Sequence, residues 1–360
     1  MYSLTMNHSF GANLRSQNGP VLLTGHTGFK GTWMTLLLEH LHVPVVGISL
    51  VPDKDSLYSL LGRKGVIPED FIDIRDFNKL KDCFTKYKPS AVLHMAAQPL
   101  VLESYKSPRE TFEVNVMGTA NVLEASTTFS EIKSIGVITT DKVYRNNSQN
   151  IRGFIEMDSL EGKDPYSASK VGAESAVSAW RQISKKNTGQ QIFSLRAGNV
   201  IGGGDKAKNR LMPDIVRSKV ENRSLVIRNL GSTRPWQHVL DPLHGYLLAL
   251  EKSLAEEISP AYNFSPITKS LDVGTVVAIA NRAWDNSLEF EISKNNDETS
   301  YEAKSLDLNS DLAFKELGWK PIWTQQDSII STVEWWRGLL EKSVSPADLC
   351  LNDIKLLLRD

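Results

Sequence analysis

Residues 21–31 read VLLTGHTGFKG, a short apolar run followed by a turn with three glycines. A continuous apolar run of this kind is typical of a parallel strand covered on both faces. After the turn, Trp33, Leu37 and Leu41 recur at helical spacing, and residues 45–50 form a second apolar run. The segment therefore predicts a strand, a helix and a second strand, the unit from which parallel sheets are built.

The same alternation continues along the first half of the chain. It predicts strands at 91–95, 135–139 and 192–196 and helices at 112–125 and 167–184. Parallel strands need crossover connections, which are usually helical, so the pattern indicates an α/β fold with a Rossmann-type doubly wound parallel sheet. After the three glycines at 202–204 the alternation of strand and helix patterns becomes less regular, and shorter elements indicate a smaller C-terminal lobe.

Composition restricts the expected partners. The 41 Lys and Arg against 42 Asp and Glu leave a formal net charge of -1, which gives no broad attraction for nucleic acid or a membrane surface. We find neither a signal peptide nor an apolar run long enough for a membrane span. The two cysteines, Cys83 and Cys350, suggest neither a disulfide framework nor a metal site. We therefore expect a cytoplasmic protein without a bound metal.

Gly25, Gly28 and Gly31 predict a phosphate site. A glycine turn between a strand and a helix lets backbone N–H groups approach a pyrophosphate at the positive end of the helix. A turn without a ligand is the alternative, but the flanking elements favour a dinucleotide. Ser49 and Leu50 stand where an acidic residue often binds the adenosine ribose, so that rule does not settle the choice between NAD and NADP. No arginine stands there for a 2′-phosphate, which favours NAD.

Asp73 and Ile74 lie where the third strand is expected to end. A carboxylate at this place can accept a hydrogen bond from the adenine amino group. A solvated loop acid is an equally good reading of the spacing alone.

The NAD site suggests how the chain divides. Residues 1–18 are polar and aperiodic and are expected to form a loosely held N-terminal extension. Residues 19–200 are expected to form the NAD-binding domain, to which the chain returns near 225–250. Residues 201–360 are expected to form mainly the substrate-binding lobe.

Tyr166 and Lys170 lie four residues apart at the start of a predicted helix, so they project from one face. A phenol is a poor base at neutral pH because its pKa is about 10, but a lysine cation one turn away favours the phenolate. Such a pair can take a proton from a sugar hydroxyl. A surface pair is the alternative, but the position after a glycine turn in an α/β chain favours catalysis.

Several longer motifs are spread over most of the chain. They are GHTGFKG at 25–31, HMAAQPLV at 94–101, TTDK at 139–142, DPYS at 164–167, RAGNVIGGGD at 196–205, RPWQHV at 234–239 and LGW at 317–319. This set resembles the extended short-chain dehydrogenase/reductase family, and within it the nucleotide-sugar 4,6-dehydratases. Agreement over motifs of this length rarely arises by chance.

The resemblance implies a tightly held NAD and the conversion of CDP-glucose to CDP-4-keto-6-deoxyglucose and water. Tyr166, beside Lys170, would deprotonate the 4-hydroxyl, to which Thr140 would also hydrogen-bond. Asp141, when protonated, would donate to the departing 6-hydroxyl. Lys142 stands where the dTDP-glucose enzymes carry a Glu base for C5; it matches the CDP-glucose branch and would have to be neutral to act. A solvated ion pair is the alternative for Asp141 and Lys142.

The same resemblance implies binding residues and an assembly. Those expected to hold NAD are Gly25, Thr27, Gly28, Phe29, Lys30, Gly31, Asp73, Ile74, Ala96, Ala97, Gln98, Thr139, Tyr166 and Lys170. Those expected to bind the nucleotide sugar are Ser104, Asn199, Arg210, Arg234 and His238. The two arginines would meet its phosphates, and a surface charge is the alternative for each. The family also implies a homodimer or homotetramer and a place in deoxysugar biosynthesis, such as that of lipopolysaccharide O-antigen.

Two positions depart from the family pattern. Leu102 stands where the family commonly has Arg, and Lys206 stands where it commonly has Trp. These changes leave open a 4,6-dehydratase for another nucleotide sugar. A nucleotide-sugar 4-epimerase is a further alternative, although it has no use for an acid and a base at 141 and 142. A non-catalytic NAD-binding protein is the alternative from a different class, and the intact catalytic set argues against it.

Overall fold

The structure, a computed structural model, describes residues 10–146, 152–227, 230–292 and 306–359. Its strands are β1 (Val21–Thr24), β2 (Val45–Ser49), β3 (Glu69–Phe71), β4 (Ala91–His94), β5 (Ser134–Ile138), β6 (Gln191–Ala197), β7 (Asn199–Ile201), β8 (Leu225–Ile227), β9 (Thr233–Arg234), β10 (Trp236–His238), β11 (Ala261–Phe264), β12 (Leu271–Asp272) and β13 (Phe290–Ile292). Its helices are α1 (Ala12–Arg15), α2 (Phe29–His40), α3 (Leu57–Leu60), α4 (Phe77–Tyr87), α5 (Val101–Lys106), α6 (Pro108–Phe112), α7 (Gly118–Thr128), α8 (Pro165–Asn187), α9 (Leu211–Val220), α10 (Leu240–Ser253), α11 (Val273–Ala283), α12 (Asp311–Leu317), α13 (Gln325–Glu341) and α14 (Pro346–Leu358).

A parallel sheet of seven strands forms the centre of the described residues. Its spatial order is β11-β6-β5-β4-β1-β2-β3. Because β1 pairs with β2 on one side and with β4 on the other, the direction of winding reverses beside β1. In sheets of this kind a crevice for ligands lies at the carboxyl ends of the strands, at the point of reversal. The predicted doubly wound parallel sheet is confirmed.

The predicted elements agree with the structure except in one helix. The five predicted strands of the first half match β1, β2, β4, β5 and β6 to within one residue at each end. The helix predicted over 112–125 is interrupted instead, because a π-helical segment, Glu113–Met117, separates α6 from α7. Asn115 lies in this segment, is buried, and donates to Gln98 O and Ser169 Oγ at 3.0 and 2.9 Å. The π-helical segment therefore carries a polar side chain that connects the turn after β4 to α8.

The N-terminal extension is held more closely than predicted. Residues 1–9 of it lie outside the described residues, but residues 12–15 form α1. Leu14 is buried in the main core, and the backbone N–H groups of Asn13 and Leu14 donate to the carboxylate of Glu251 at 2.7 and 3.2 Å. Phe10 also packs against this core, so apolar side chains hold a stretch that is polar in overall composition.

The second lobe is built from short strand pairs and helices packed on the sheet. β7 pairs with β10, β8 with β13 and β9 with β12. The chain returns to the central sheet through α10 and β11, and β11 pairs with β6. The return therefore ends later than the predicted 225–250. One apolar core joins a face of the sheet to this lobe and contains Trp33, Phe193 and Trp319.

No helix within the described ranges is long and apolar enough to cross a membrane. The described residues also contain no group of three or more His, Cys, Asp or Glu side chains that could hold a metal ion.

Candidate active site

The glycine turn between β1 and α2 is packed too tightly for side chains at two of its glycines. A Cβ atom at Gly31 would lie 2.0 Å from Gly25 O, and one at Gly25, where φ is 78°, would lie 2.8 Å from Ala96 N. At Gly28 the only atom of the described residues within 4 Å of a Cβ would be Gly25 O, at 3.3 Å. Gly28 is exposed and caps α2 without a side-chain hydrogen bond. The turn therefore leaves an open approach to the N-terminal N–H groups of α2, as a pyrophosphate requires.

Gly28→Ala should separate this ligand role from packing. The added methyl group meets little protein, so we expect the melting temperature to stay close to the wild-type value. It would occupy the approach to the helix N-terminus, so we expect NAD to bind at least ~10-fold more weakly, which corresponds to about 1.4 kcal/mol. Calorimetry with NAD measures this loss. Unchanged NAD affinity in Gly28→Ala would contradict a pyrophosphate at this turn.

The side chains of the other residues in the turn contact neighbouring protein groups. Thr27 Oγ1 lies 2.7 Å from Ser49 Oγ and donates to Leu50 O, which ties the turn to the end of β2. Phe29 packs on the main core. Lys30 Nζ donates to Tyr246 OH at 3.0 Å. Desolvation, assisted by repulsion from Lys170 and Arg210, lowers the pKa of Lys30 to about 7.

The residues predicted to contact adenine lie two and three positions beyond β3. The Asp73 carboxylate accepts hydrogen bonds from Arg75 Nε and Nη2 at 2.9 and 2.6 Å, and these bonds lower the pKa of Asp73. This ion pair is half-exposed, in keeping with the alternative of a loop acid. Ile74 is buried, and its side chain lies against Gly118. The predicted contact of these two residues with NAD stays a prediction.

The turn after β4 is fixed by hydrogen bonds on both sides. Ala96 N donates to Thr24 Oγ1 at 3.1 Å, and Gln98 N donates to Asn115 Oδ1 at 2.8 Å. The Gln98 side chain donates to Thr111 Oγ1 at 3.0 Å. Ala97, between them, is half-buried at the same edge of the sheet. Asn115 is a functional candidate that the sequence analysis missed, because an Asn within a helical pattern gives no signal of its own.

The catalytic candidates come from two neighbouring elements. The segment 139–144, which we call the catalytic loop, follows β5 and contains a 3₁₀ turn, Asp141–Val143. Tyr166 lies in the first turn of α8, where Asp164 and Ser167 form a capping box. Both segments therefore begin at the carboxyl edge of the sheet. The structure brings the predicted catalytic residues together there.

Burial dominates the electrostatics of this cluster. Burial raises the pKa of Tyr166 to about 12, although a hydrogen bond with Thr140 opposes the rise. Burial lowers the pKa of Lys170 to about 8, and its ammonium donates to Ile138 O at 3.1 Å. Burial also raises the pKa of Asp141, which favours its protonated form. A buried Asp that keeps its proton can act as a general acid.

Asp141 leaves one oxygen for a ligand. Its Oδ1 accepts from Thr140 Oγ1 at 2.8 Å. Its Oδ2 is buried, and no hydrogen-bond partner for it is found among the described residues. Lys142, the next residue, is half-buried and acts electrostatically on Asp141. An unmatched polar atom in such a cluster is typical of a site that substrate completes.

The substrate candidates fall into two groups. Arg234 acts electrostatically on Asp141 and Arg210 on Tyr166, so both guanidinium groups lie near the catalytic cluster. Arg234 is buried, with Nη1 donating to Thr233 O at 2.7 Å, and Arg210 Nη1 lies 3.5 Å from Asp205 Oδ2. Asn199 is half-buried at the start of β7.

Two of the residues predicted to bind the substrate, His238 and Ser104, are buried within the protein. His238 is fully buried, stacked on Trp323 with 4.2 Å between ring centroids, and its Nε2 lies 3.4 Å from Asp353 Oδ2. Every residue of β10 is buried, so this side chain packs in the core, and its contact with the substrate stays a prediction. Ser104 is also fully buried, and its hydroxyl donates to Val101 O at 2.6 Å within α5. The two positions that depart from the family pattern, Leu102 and Lys206, are exposed.

Solved structures of nucleotide-sugar enzymes share this fold. A UDP-glucose 4-epimerase of Thermus thermophilus in complex with NAD matches with a TM-score of 0.76 and 22% identity, covering 89% of this chain and 100% of that one. A dTDP-glucose 4,6-dehydratase of Streptomyces venezuelae, solved with NAD bound, matches with a TM-score of 0.75 and 20% identity, covering 91% and 99%. The chain therefore has the fold of these two enzymes.

Sequence comparison identifies the family to which the chain belongs. The profile of the GDP-mannose 4,6-dehydratase family matches residues 22–332, and the chain belongs to this family. The CDP-glucose 4,6-dehydratase of Salmonella typhimurium is 40% identical over 333 residues, which cover 89% of this chain and 91% of that protein. A dTDP-glucose 4,6-dehydratase of Haemophilus influenzae is 25% identical over 88% of this chain and 97% of that protein. The resemblance stated from the motifs is confirmed.

Proposed function

We propose that this chain converts CDP-glucose to CDP-4-keto-6-deoxyglucose and water, with NAD as its cofactor. The observation that carries the proposal is the catalytic loop beside Tyr166, in which Asp141 is buried with one oxygen unmatched. An epimerase that acts only at C4 has no use for this acid. The 40% identity to a CDP-glucose enzyme supports the choice of nucleotide.

Tyr166 acts at the 4-hydroxyl. Its phenolate, hydrogen-bonded with Thr140, removes the hydroxyl proton and becomes a phenol. Because burial raises the pKa of Tyr166 to about 12, this base depends on positive charge beside it, and Lys170 supplies such charge from the next turn of α8. NAD, when bound, supplies the oxidant for C4 and afterwards the reductant for C6.

Asp141 and Lys142 act in the elimination. Asp141 donates its proton to the departing 6-hydroxyl, and its raised pKa suits a group that must be protonated to act. Lys142 removes the C5 proton, and a proton returns to C5 when C6 is reduced. The net loss from the sugar is one water.

Arg210 and Arg234 hold the diphosphate in this proposal. Guanidinium groups pair with phosphate oxygens through two parallel hydrogen bonds. The positions of both arginines near the catalytic cluster support this role, since the diphosphate adjoins the sugar that reacts.

The substrate can be tested with the purified protein. We expect a 4-keto product from CDP-glucose, measured by its absorbance in alkali, at a rate at least ~10-fold above that with dTDP-glucose or GDP-mannose. We also expect no net formation of NADH, since the hydride returns to the sugar. A preference for dTDP-glucose, formation of a C4 epimer, or stoichiometric NADH would each contradict the proposal. A protein that binds NAD without turnover would identify the non-catalytic alternative.

The proposed enzyme acts as a homodimer or homotetramer in the cytoplasm, in deoxysugar biosynthesis such as that of lipopolysaccharide O-antigen. Exposed apolar side chains support the pairing of chains. Phe112 at the end of α6, Met117 in the π-helical segment and Ile183 on α8 are between 42% and 56% exposed. Apolar side chains exposed on the surface favour burial against a second copy.

A further inference from the structure

A buried ion pair lies behind the catalytic cluster. Arg196, on β6, and Glu174, on α8, have side chains that are each only 5% exposed. Arg196 Nε donates to Glu174 Oε1 at 2.8 Å and Nη2 donates to Glu174 Oε2 at 2.7 Å. Ser194 Oγ donates to the same carboxylate at 2.8 Å. This paired geometry is the strongest that a guanidinium and a carboxylate form.

The pair holds both ends of the catalytic loop. At the first end, Thr139 Oγ1 donates to Glu174 Oε1 at 2.6 Å. At the other end, Arg196 Nη1 donates to Tyr144 OH at 2.8 Å, and this phenol donates in turn to Asn263 Oδ1 at 2.7 Å. Thr140, Asp141 and Lys142 lie between these two anchors.

Glu174 also faces the lysine of the Tyr-Lys pair. It lies four residues after Lys170 on α8, and residues at this spacing share one face of a helix. Burial lowers the pKa of Lys170 to about 8, and the charge of Glu174 opposes this decrease. Glu174 itself is held ionised, because Arg196 and its hydrogen-bond donors lower the pKa of the carboxyl against the effect of burial.

We infer that Glu174 and Arg196 form a positioning pair that holds the catalytic loop at both ends and sets the charge of Lys170. The inference rests on the proposed function, since the pair acts through Lys170 and Tyr166. A purely structural role explains less, because apolar residues of similar volume often replace a buried ion pair without loss of stability. Such residues could provide neither the two anchors nor the negative charge.

Other charged groups surround the same residues. Lys30 and His94 interact electrostatically with Lys170, while Asp141, Asp164 and Arg210 interact with Tyr166. Arg181 lies close enough to interact with Glu174. The test must therefore change Glu174 while leaving this set intact.

Glu174→Gln is the decisive variant. The negative charge of Glu174 stabilises the protonated form of Lys170, so removal of this charge lowers the pKa of Lys170. We expect the basic limb of the pH profile of kcat to move to lower pH by about one unit. At pH values above this limb kcat should fall by ~10-fold, while KM for CDP-glucose changes by less than ~3-fold. A uniform decrease in kcat at every pH, or an unchanged profile, would overturn the inference.

Glu251→Gln is the matched control. This carboxylate accepts hydrogen bonds from two backbone N–H groups, but it lies near the end of α10, whose Ser253 contacts the first residue of β5 at the opposite edge of the sheet. Its pH profile should be that of the wild type. If Glu174→Gln fails to fold, Glu174→Gln combined with Arg196→Met removes both charges together, and the basic limb should still move to lower pH. A wild-type limb in the folded double variant would overturn the inference.

A readout without turnover separates this inference from the proposed function. In protein labelled with nitrogen-15 at lysine, the Lys170 ammonium resonance is assigned from its loss in Lys170→Ala and then titrated. Glu174→Gln should lower the titration midpoint whether or not CDP-glucose is the substrate. A wild-type enzyme inactive on CDP-glucose would contradict the proposed function alone, and an unchanged Lys170 midpoint would contradict the positioning pair alone.

Discussion

Replacement of Tyr166 by Phe should lower the turnover of CDP-glucose by about 10²–10⁴-fold, because general-base catalysis contributes a factor of this size. The ring is 8% exposed and packs beside the catalytic loop, so Phe keeps the packing and removes only the hydroxyl that meets Thr140. The melting temperature and the NAD content of the purified protein should therefore remain close to the wild-type values. Initial rates at saturating substrate measure the effect.

Tyr262→Phe provides a matched control for the loss of a buried phenol. Tyr262 OH donates to Glu316 Oε2 at 2.6 Å and accepts from Ser259 N at 3.0 Å, near the start of β11 and away from the carboxyl edge. This variant should lose about 1 kcal/mol of stability and no turnover. A wild-type rate in Tyr166→Phe would mean that Tyr166 and Lys170 are only a packed pair.

The central sheet could be predicted from the sequence because of how parallel strands are buried. All residues of β1, β2, β4 and β5 are buried, so each strand is a nearly unbroken apolar run bounded by polar residues. The second lobe could not be predicted in the same way. Its strands contain two or three residues each, too few for a periodic pattern.

The candidate site was predictable where its residues are adjacent in sequence. Tyr166 and Lys170 lie on one helical face, and Asp141 follows Thr140 directly, so spacing alone places each group. Glu174 and Arg196 escaped prediction because their contact joins a helix to a strand 22 positions later. A charged residue in an amphipathic helix normally faces solvent, and nothing in its local sequence reveals a buried partner.

His238 shows the limit of a motif match. It was assigned to the substrate because it lies in a matched motif, but Trp33 and Trp323 enclose its ring. The histidine is therefore part of the packing between α2 and the segment before α13. A matched motif can report a shared core as readily as a shared site.

A substitution in the catalytic loop should block the elimination while leaving the oxidation at C4 intact. Lys142 lies within the 3₁₀ turn and next to Asp141, whereas Tyr166 reaches the site from α8. If Tyr166 serves only the oxidation at C4, Lys142→Ala should still oxidise the sugar but should not lose water. In a single turnover we expect reduced nicotinamide to accumulate, observed by its absorbance, and the 6-deoxy product to be absent.

Lys142→Ala and Asp141→Asn should differ in the fate of the C5 proton, because the base and the acid act on different atoms. In deuterium oxide, the sugar recovered from a reaction with Lys142→Ala should contain no deuterium at C5, because the group that removes the C5 proton is absent. Asp141→Asn should retain C4 oxidation and C5 exchange while the loss of the 6-hydroxyl is slowed by ~10²-fold or more. Mass analysis of the recovered sugar distinguishes the two variants.

Dehydration at the normal rate by Lys142→Ala would place the base elsewhere. Absence of both reduced nicotinamide and product in this variant would mean that Lys142 orients the sugar before oxidation.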